Sequence, residues 1–342
     1  MIRTLLVDDS PAFLAALRGV LAEDPEFQVV GEARDGHRAL QLAVSLKPEL
    51  VLMDVQMPGA DGIATTAHIM RDAPCPVVVM SGMVSAERQQ TVFEAMAAGA
   101  VEVLPKPRDL TAPGAREKLR NQVKSMAQVK VVRRRSLPGG APASMAGEAF
   151  QVVAIGSSTG GPPALCELLS HLPRDFAPSV LIAQHLAQGF GEGLCRWLAS
   201  ACALPVVRVE KRVVREGGKV YLAVDGHHLL LDGAELAAVP SGPGDLSVPG
   251  VDRLFGSVVP LGARAVAAVL TGMGSDGASG LLALKQAGAY TLVQDEATSL
   301  IYGMPRVARE RGGATEELPL RELAKRIVEL CARGASPARV SR

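Results

Sequence analysis

The sequence is poor in aromatic residues and has almost no excess charge. Aromatic residues make up 3% of its 342 residues, and only one of them is a tryptophan. Lys and Arg total 36 against 35 Asp and Glu, which gives a formal net charge of +1 at pH 7. A chain without a basic excess offers no electrostatic attraction for nucleic acid or for an anionic membrane. We therefore expect no nucleic-acid partner.

Cysteines are few, and long apolar runs are missing. The five cysteines are odd in number and contain no C-x-x-C pair, a pattern typical of reduced thiols rather than of a disulfide or zinc framework. No apolar run approaches the roughly 18 residues that cross a bilayer. Asp8 and Asp9 interrupt the first apolar stretch before a signal peptide could be complete. We expect a cytoplasmic protein without membrane insertion.

The length and hydrophobicity of the chain predict two α/β domains. A chain that is 48% hydrophobic can form two cores, each in a domain of about 100–200 residues. Short apolar runs alternate with amphipathic stretches in 1–107 and again from 151, as in parallel sheets covered by helices. The stretch between them is first basic and then rich in Pro and Gly. We predict one domain at 1–128, a linker at 129–149 and a second domain at 150–342.

The first domain is predicted to hold five parallel strands, and the second a doubly wound, mostly parallel sheet with a small antiparallel hairpin. Predicted strands in the first domain are 2–8, 27–33, 50–54, 76–81 and 101–104, with a last helix at 114–128. Predicted strands in the second are 151–155, 179–184, 205–209, 219–224, 228–231, 265–271 and 289–294. Asp225-Gly226 separates two of these runs and predicts the hairpin turn.

Charged and hydroxyl side chains follow four predicted strands of the first domain. Asp8 and Asp9 follow the first strand, and Asp54 ends the third. Sites in open α/β sheets form at these carboxyl ends, and three carboxylates brought together repel one another unless a cation is present. Mg²⁺, a hard ion with oxygen ligands, fits best. Ser81 and Lys106, after the fourth and fifth strands, would add a hydroxyl donor and a positive charge.

This constellation resembles the response-regulator receiver family throughout residues 1–107. The motifs that carry the resemblance are Asp8-Asp9, Asp54-x-x-Met57-Pro58-x-x-Asp61-Gly62, Ser81 and Lys106-Pro107. The resemblance implies a flavodoxin-like fold in which Asp54 accepts a phosphoryl group. It also implies that Asp8, Asp9 and Asp54 hold Mg²⁺ and that Lys106 and Ser81 contact the phosphoryl group.

A glycine-rich turn follows the first strand of the second domain. Its glycines, at 156, 160 and 161, do not match the G-x-G-x-x-G spacing of a dinucleotide-binding turn. The next strand ends in Gln184-His185 and not in the acid that would bind a ribose. A receiver fused to a dinucleotide-dependent enzyme is thus a weaker alternative. A receiver fused to a DNA-binding output is weaker still, because no compact basic helix-turn-helix region follows residue 149.

A serine, a histidine and an aspartate follow three strands of the second domain. If strands 151–155 and 179–184 are neighbours, Ser158 and His185 emerge at the same edge as nucleophile and base. Asp276 follows another strand and is a candidate to orient the imidazole. Spacing does not exclude Ser157 as the nucleophile. The chain order Ser, His, Asp differs from the order Ser, Asp or Glu, His of α/β-hydrolases.

The second domain resembles the chemotaxis protein-glutamate methylesterase family, and with the receiver the match covers nearly the whole chain. Its motifs are Gly156-Ser-Ser158-Thr-Gly-Gly, Gln184-His185, Thr271-Gly-Met-Gly-Ser-Asp276-Gly and Gln294-Asp-Glu-Ala-Thr-Ser-x-x-Tyr-Gly-Met-Pro305. The resemblance implies hydrolysis of glutamate methyl esters, and deamidation of glutamines, on chemoreceptors. A receiver-controlled hydrolase of a related non-motility chemosensory circuit is the alternative within this class.

The same resemblance assigns roles to five residues of the second domain. Ser158 becomes the nucleophile, His185 the base and Asp276 the orienting acid. The amide of Met273 becomes an oxyanion donor, and Thr159 a neighbour within the site. No metal is required for the ester chemistry.

The implied partners are a chemosensory histidine kinase as phosphodonor and methyl-accepting chemoreceptors as substrate, and we expect a monomer. The chain departs from the family pattern in two segments beside the expected substrate groove. Tyr221-Leu-Ala-Val-Asp-Gly226 replaces a strand followed by an Ala-Pro-Gly turn, and Pro249-Gly-Val-Asp252 replaces Pro-Ser-Val-Asp.

Overall fold

The computed structural model describes residues 1–54, 56–57, 60–82, 86–107, 109–110, 114–127, 129, 150–245 and 247–333. The chain divides into two compact units, Met1–Arg133 and Arg134–Arg342. Apart from Val129, the predicted linker lies outside the described residues, so the exact domain bounds stay predictions.

Within its described residues, the first unit holds a five-stranded parallel sheet in the order β2-β1-β3-β6-β7. Its strands are β1 (Ile2–Val7), β2 (Phe27–Ala33), β3 (Leu50–Asp54), the short pair β4 (Gln56–Met57) and β5 (Ala60–Asp61), β6 (Val77–Ser81) and β7 (Glu102–Pro105). Its helices are α1 (Pro11–Leu21), α2 (Gly36–Leu46), α3 (Gly62–Asp72), α4 (Ala86–Ala97) and α5 (Ala115–Ala127). The predicted five-stranded parallel sheet is confirmed.

The register of this sheet brings the acidic residues together. β1 and β3 are parallel neighbours and pair Val7 with Met53, so Asp8 emerges beside Asp54. Helix α1 begins directly after this edge because Ser10 caps it, accepting the amide of Phe13 at 3.3 Å, and Pro11 occupies its first turn.

The second unit holds, in the same described residues, a parallel sheet of seven strands in the order β10-β12-β9-β8-β15-β16-β17, and a separate antiparallel sheet β11-β14-β13. The strands are β8 (Val152–Ser157), β9 (Ser179–Gln184), β10 (Val206–Val209), β11 (Arg212–Val214), β12 (Val220–Ala223), β13 (His227–Asp232), β14 (Glu235–Pro240), β15 (Ala265–Val269), β16 (Tyr290–Gln294) and β17 (Glu316–Leu318). The helices are α6 (Gly161–Ser170), α7 (Gly191–Ala201), α8 (Val251–Val258), α9 (Ala278–Gln286), α10 (Met304–Glu310) and α11 (Leu320–Arg333), with a 3-10 helix at Val259–Arg264.

The central strands of the large sheet are buried along their whole length because helices cover both of its faces. Every residue of β8, β9 and β15 is buried, the pattern expected of parallel strands. β8 lies between β9 and β15, pairing Ser157 with Gln184 and Gly156 with Val269. The predicted neighbourhood of the first two strands is confirmed, and the turns that follow them open at one edge.

The hairpin predicted at Asp225-Gly226 is wrong. β12 pairs with β9 and β10 in the large sheet, whereas β13 pairs with β14 in the small one. The antiparallel hairpin is therefore β13–β14. Asp225 instead accepts the amide of Gly191 at 2.9 Å, so the turn supports the start of α7 while the chain changes sheets.

Helix α8 was not predicted, and it lies against the end of β8. Gly156 must lack a side chain because a Cβ there would lie 2.1 Å from Cγ1 of Val251. Leu254, Phe255 and Val258 on the same helix are fully buried in the core of the large sheet. This packing brings the N-terminus of α8 to the edge where the candidate catalytic residues lie.

Candidate catalytic and phosphoacceptor sites

Two serines end β8, and their environments differ sharply. Ser157 is fully buried, and its hydroxyl donates to Oε1 of Gln184 at 2.6 Å. Ser158 is only partly buried, and its amide donates to the carbonyl of Thr271 at 3.1 Å. The hydroxyl of Ser157 is thus already engaged inside the core, whereas Ser158 stands in the turn at the sheet edge.

The side chain of Gln184 connects the turn after β8 to the turn after β9. Its Nε2 donates to the carbonyl of Ser158 at 2.8 Å and to the carbonyl of His185 at 2.7 Å. The side chain is 3% exposed, so these bonds form away from water. Gly161 makes room for it, since a Cβ on Gly161 would lie 1.9 Å from Oε1 of Gln184. One glutamine therefore fixes the main chain of both Ser158 and His185.

His185 and Asp276 form a hydrogen bond across the same edge. Nε2 of His185 lies 2.7 Å from Oδ2 of Asp276, and both side chains are largely buried. Within the described residues this is the one hydrogen bond of the imidazole ring, and Nδ1 has no hydrogen-bond partner. An ionised carboxylate only accepts, so Nε2 carries the proton and Nδ1 is the nitrogen that can act as a base.

The carboxylate of Asp276 is held by three donors. Besides His185, the amides of Val251 and Asp252 donate to it, each at 2.8 Å. Burial by itself would raise the pKa of Asp276, but the bond from His185 and these two amides outweigh it and lower the pKa. Val251 and Asp252 begin α8, whose positive end favours the ionised carboxylate. Asp276 is therefore suited to stabilise an imidazolium at His185.

The loop after β15 lies against the turn that carries Ser158. The hydroxyl of Thr271 donates to the carbonyl of Thr159 at 3.0 Å. Gly272 needs its missing side chain, because a Cβ there would lie 2.7 Å from Cβ of Ser158. Met273 follows with 39% of its surface exposed, and in the described part of the chain its amide has no acceptor. An unpaired amide beside Ser158 is the donor that an oxyanion requires.

A second buried glutamine supports this loop from the other side. Oε1 of Gln294 accepts the amide of Thr271 at 2.8 Å, and its Nε2 donates to the carbonyl of Thr298 at 2.8 Å. Like Gln184, Gln294 ends a strand, and it is 1% exposed. The two glutamines hold the loops on both sides of Ser158 from within the core.

The turn that carries Ser158 leads straight into α6. Gly160 adopts a positive φ of 75°, which favours glycine, and the helix begins at Gly161 without a side-chain cap. Gly161 donates its amide to the carbonyl of Ser158 at 2.8 Å. The positive end of α6 therefore faces the residue predicted to be the nucleophile.

The acidic cluster of the first unit has the geometry of a cation site. Asp8 and Asp54 are buried, Asp9 is partly buried, and one carboxylate oxygen from each lies within 4.8 Å of the others. Nζ of Lys106 lies 2.6 Å from Oδ2 of Asp8 and 2.7 Å from Oδ2 of Asp54. Three converging carboxylates with oxygen donors and one neutralising amine fit Mg²⁺.

Lys106 and Ser81 lie where the sequence predicted them. β6 pairs Ser81 with Pro105, directly before Lys106, and the Ser81 side chain is buried. Burial acts to lower the pKa of Lys106, but hydrogen bonds and charge from Asp54 and Asp8 outweigh it and raise the pKa. Nζ also lies 4.7 Å from the centroid of the Phe13 ring, a favourable cation–π distance. Lys106 therefore stays charged.

Reasoning from the sequence missed some residues at the sheet edge that carries Ser158, His185 and Asp276. Gln184, Gln294 and Asp252 were noticed as parts of motifs but given no role. Pro249-Gly250 indicates a turn, and Asp252 lies in the first turn of α8, where acidic residues are enriched. Among the described residues, no helix is both long and apolar enough to cross a bilayer.

Two family models match the chain. One, described as CheB methylesterase, matches residues 153–327, and one described as a response regulator receiver domain matches residues 4–113. Ser158, His185 and Asp276 fall within the first, and Asp8, Asp54 and Lys106 within the second.

Curated relatives match along nearly the whole chain. A protein-glutamate methylesterase/protein-glutamine glutaminase of Myxococcus xanthus is 40% identical over 333 residues, covering 96% of this chain and 94% of the relative. One of Cupriavidus pinatubonensis is 41% identical over 331 residues, covering 95% and 96%. Among solved structures, the CheB methylesterase catalytic domain of Thermotoga maritima aligns with a TM-score of 0.51 and 30% identity, covering 53% of this chain and 99% of that domain.

Proposed function

The chain belongs to the CheB methylesterase family and carries a response regulator receiver domain, and we propose that Ser158, His185 and Asp276 perform its ester hydrolysis. Family membership makes it a receiver-controlled hydrolase that removes methyl esters from glutamates of chemoreceptors and deamidates glutamines. This favours the hydrolase over a dinucleotide-dependent enzyme or a DNA-binding regulator. The bond from His185 to Asp276, at the edge where Ser158 emerges, carries the assignment of residues.

Acylation begins with transfer of the Ser158 proton to Nδ1 of His185 while Oγ attacks the ester carbonyl carbon. His185 becomes an imidazolium, which Asp276 stabilises through Nε2. The same carboxylate is fixed by two amides of α8, so it need not move as the charge develops. Asp276 remains ionised throughout, as its lowered pKa indicates.

The carbonyl oxygen becomes negative as the tetrahedral intermediate forms. We assign the amide of Met273 as its donor, because Gly272 holds this segment against Ser158 and the amide has no acceptor among the described residues. The positive end of α6 adds a favourable field. Thr159 contributes through its main chain, which accepts the Thr271 hydroxyl and joins the two loops.

Collapse of the intermediate breaks the bond to the methoxy group. His185 returns its proton to that oxygen, and methanol leaves behind a glutamyl ester on Ser158. A water molecule then attacks this ester as His185 takes its proton, and the proton finally returns to Oγ of Ser158. With a glutamine substrate the same steps release ammonia, and both substrates end as glutamate.

In the receiver we propose Asp54 as the phosphoacceptor. An oxygen of Asp54 attacks the phosphorus of a phosphohistidine on a chemosensory histidine kinase. The P–N bond breaks, the imidazole of the kinase leaves, and the phosphoryl group is bound to the carboxylate. Mg²⁺ held by Asp8, Asp9 and Asp54 would supply positive charge for the phosphoryl oxygens. Lys106 adds a second positive charge, and Ser81 a hydroxyl donor, from the adjacent strand ends.

The remaining partner assignments belong to the same proposal. Methyl-accepting chemoreceptors supply the substrate, and the enzyme acts as a monomer. The test is covalent labelling with a serine-directed phosphonate, followed by peptide mass spectrometry. We expect label on Ser158 and parallel loss of methanol release from methylated receptor membranes. Label on Ser157, or full activity after complete labelling, would contradict the assignment.

A further inference from the structure

Asp252 and Asp276 cap each other's helices. Asp276 lies just before α9, yet its carboxylate accepts the amides of Val251 and Asp252 in the first turn of α8, each at 2.8 Å. In return, the carboxylate of Asp252 accepts the amide of Gly280 in the first turn of α9 at 2.7 Å. The two aspartates therefore lock the starts of two helices together.

Neither α8 nor α9 is capped by the side chain of its own N-cap residue. The N-cap residue of α8 is Gly250 and that of α9 is Gly277, and neither makes a side-chain capping bond. The first amides of a helix have no partner within it and need an acceptor. The side-chain acceptor at each helix start thus comes from the start of the other helix.

The starts of the two helices also touch, so neither has room to shift independently. A Cβ on Gly277 would lie 2.6 Å from Cγ1 of Val251, and one on Gly280 would lie 2.6 Å from Cβ of Phe255. A displacement of one helix start must therefore move the other. Because Oδ2 of Asp276 accepts both Val251 and His185, such a displacement changes the direction in which the carboxylate meets the imidazole.

We infer that Asp252 is a positioning residue for ester hydrolysis, which acts by holding Asp276 in line with His185. It does not touch the reacting atoms, and the inference rests on the proposed role of Asp276 as the acid of the triad. A misplacement of catalytic groups by about 1 Å can cost about 100-fold in rate. Loss of the Asp252 carboxylate leaves the amide of Gly280 without its acceptor and frees the segment that carries Asp276.

The first test compares Asp252→Ala and Asp252→Asn in the full-length enzyme under a constant phosphodonor. Methanol release from methylated receptor membranes gives kcat and KM, and phosphonate titration gives the concentration of competent sites. We expect Asp252→Ala to lower kcat per titrated site about 10- to 100-fold with KM unchanged. Asn keeps an acceptor oxygen for the amide of Gly280 but lacks the negative charge that favours a helix start, so its loss should be smaller but measurable.

Ser257→Ala is the matched control on the same helix. Ser257 accepts the amide of Leu231 at 2.9 Å near the other end of α8, so its removal weakens the anchoring of α8 without touching the capping bonds. We expect a lower melting temperature and an unchanged kcat per titrated site. If Ser257→Ala lowered kcat as much as Asp252→Ala, a general loosening of α8 would explain both, and the inference would be wrong.

A double-mutant cycle with Asp276→Asn separates this inference from the proposed function. If Asp252 acts through Asp276, Asp252→Ala should add less than about twofold to the loss already caused by Asp276→Asn. Additive losses, or a wild-type kcat for Asp252→Asn or Asp252→Ala, would overturn the role of Asp252. An active Asp276→Asn enzyme would overturn the triad itself. If Asp252→Ala does not fold, Asp252→Asn takes its place in the cycle.

Discussion

His185 presents Nε2, and not Nδ1, to Asp276 at a distance of 2.7 Å. In the proposed triad the neutral base therefore carries its proton on Nε2, and Nδ1 is the nitrogen that takes the proton of Ser158. This reverses the arrangement of the well-known Ser-His-Asp template, in which Nδ1 faces the acid. The reversal follows from the fold, because His185 enters from β9 while Asp276 is fixed from the side of α8.

The tautomer of His185 is directly measurable. In enzyme labelled with ¹⁵N-histidine, we expect Nδ1 of neutral His185 to show the shift of an unprotonated nitrogen and Nε2 that of a protonated one. Asp276→Ala should abolish this preference, because no carboxylate then accepts the Nε2 proton. A wrong tautomer costs about 10⁴-fold in kcat in such triads. A protonated Nδ1 in the wild-type enzyme would contradict the proposed geometry.

The two serines of the turn should respond oppositely to substitution. Ser158→Ala should lower ester hydrolysis by about 10⁴- to 10⁶-fold with little change in stability, because it removes the nucleophile from a partly exposed turn. Ser157→Ala should keep most of the activity and lower the free energy of unfolding by about 1–3 kcal/mol, because Oε1 of Gln184 loses a buried donor.

Methanol release and urea unfolding, followed by the fluorescence of Trp197 in the second unit, give the two quantities. Trp197 is the only tryptophan, so its signal reports on that unit alone. An inactive Ser157→Ala enzyme beside an active Ser158→Ala enzyme would mean that the nucleophile has been assigned to the wrong serine.

The strands and the polar residues at their ends are predictable from sequence, whereas the support around them is not. Ser158, His185 and Asp276 follow apolar runs that are buried on both sides, and parallel strands bring such ends together. The choice between Ser157 and Ser158 could not be made, because it depends on which side chain turns towards Gln184. Alternation along a strand places neighbouring side chains on opposite faces of the sheet, but it does not show which residue each side chain contacts.

The hairpin and α8 show what local patterns cannot reveal. Asp225-Gly226 has good hairpin composition, yet the runs beside it pair with distant strands of different sheets. Helix α8 has only eight residues and glycine at its N-cap, so its start depends on Asp276, which lies 24 residues further along the chain than Asp252. A capping residue that lies so far away along the chain cannot be recognised from the sequence around the helix.

The lowered pKa of Asp276 predicts an acid-sensitive contribution to stability. A carboxyl with a lower pKa in the folded than in the unfolded state stabilises the fold above its unfolded pKa of about 3.9. That contribution is lost as the pH falls through the lower, folded value. The difference in unfolding free energy between wild type and Asp276→Asn should therefore be largest between about pH 5 and 7 and shrink below about pH 4. Urea titrations followed by Trp197 fluorescence measure it. A difference that grows as the pH falls would contradict the ionised, hydrogen-bonded state.

Lys106 and Mg²⁺ should compete for the same carboxylates of the receiver. Lys106 lies within 2.7 Å of oxygens on both Asp8 and Asp54, so replacing it with methionine removes a competing positive charge. We expect Lys106→Met to bind Mg²⁺ about 3- to 10-fold more tightly, which corresponds to up to about 1.4 kcal/mol. Asp8→Asn should bind it more weakly because one negative ligand is lost. Calorimetric titration checks both, and weaker Mg²⁺ binding by Lys106→Met would show that the lysine does not oppose the ion.

Removal of Mg²⁺ should separate the two chemistries of the chain. The proposed ester hydrolysis uses Ser158, His185 and Asp276 and requires no ion, whereas phosphorylation of Asp54 needs positive charge to bring a phosphoryl group to three carboxylates. Chelation should therefore abolish phosphoryl incorporation from a small phosphodonor and leave the basal rate of methanol release unchanged. Asp54→Asn should behave in the same way with Mg²⁺ present, since it keeps the shape of the site but has no carboxylate to accept the phosphoryl group.

The effects of chelation and of Asp54→Asn should not add, because each removes the same phosphorylation step. If chelation also reduced the basal rate of Asp54→Asn, the ion would act on the ester chemistry, and a triad independent of metal would be wrong.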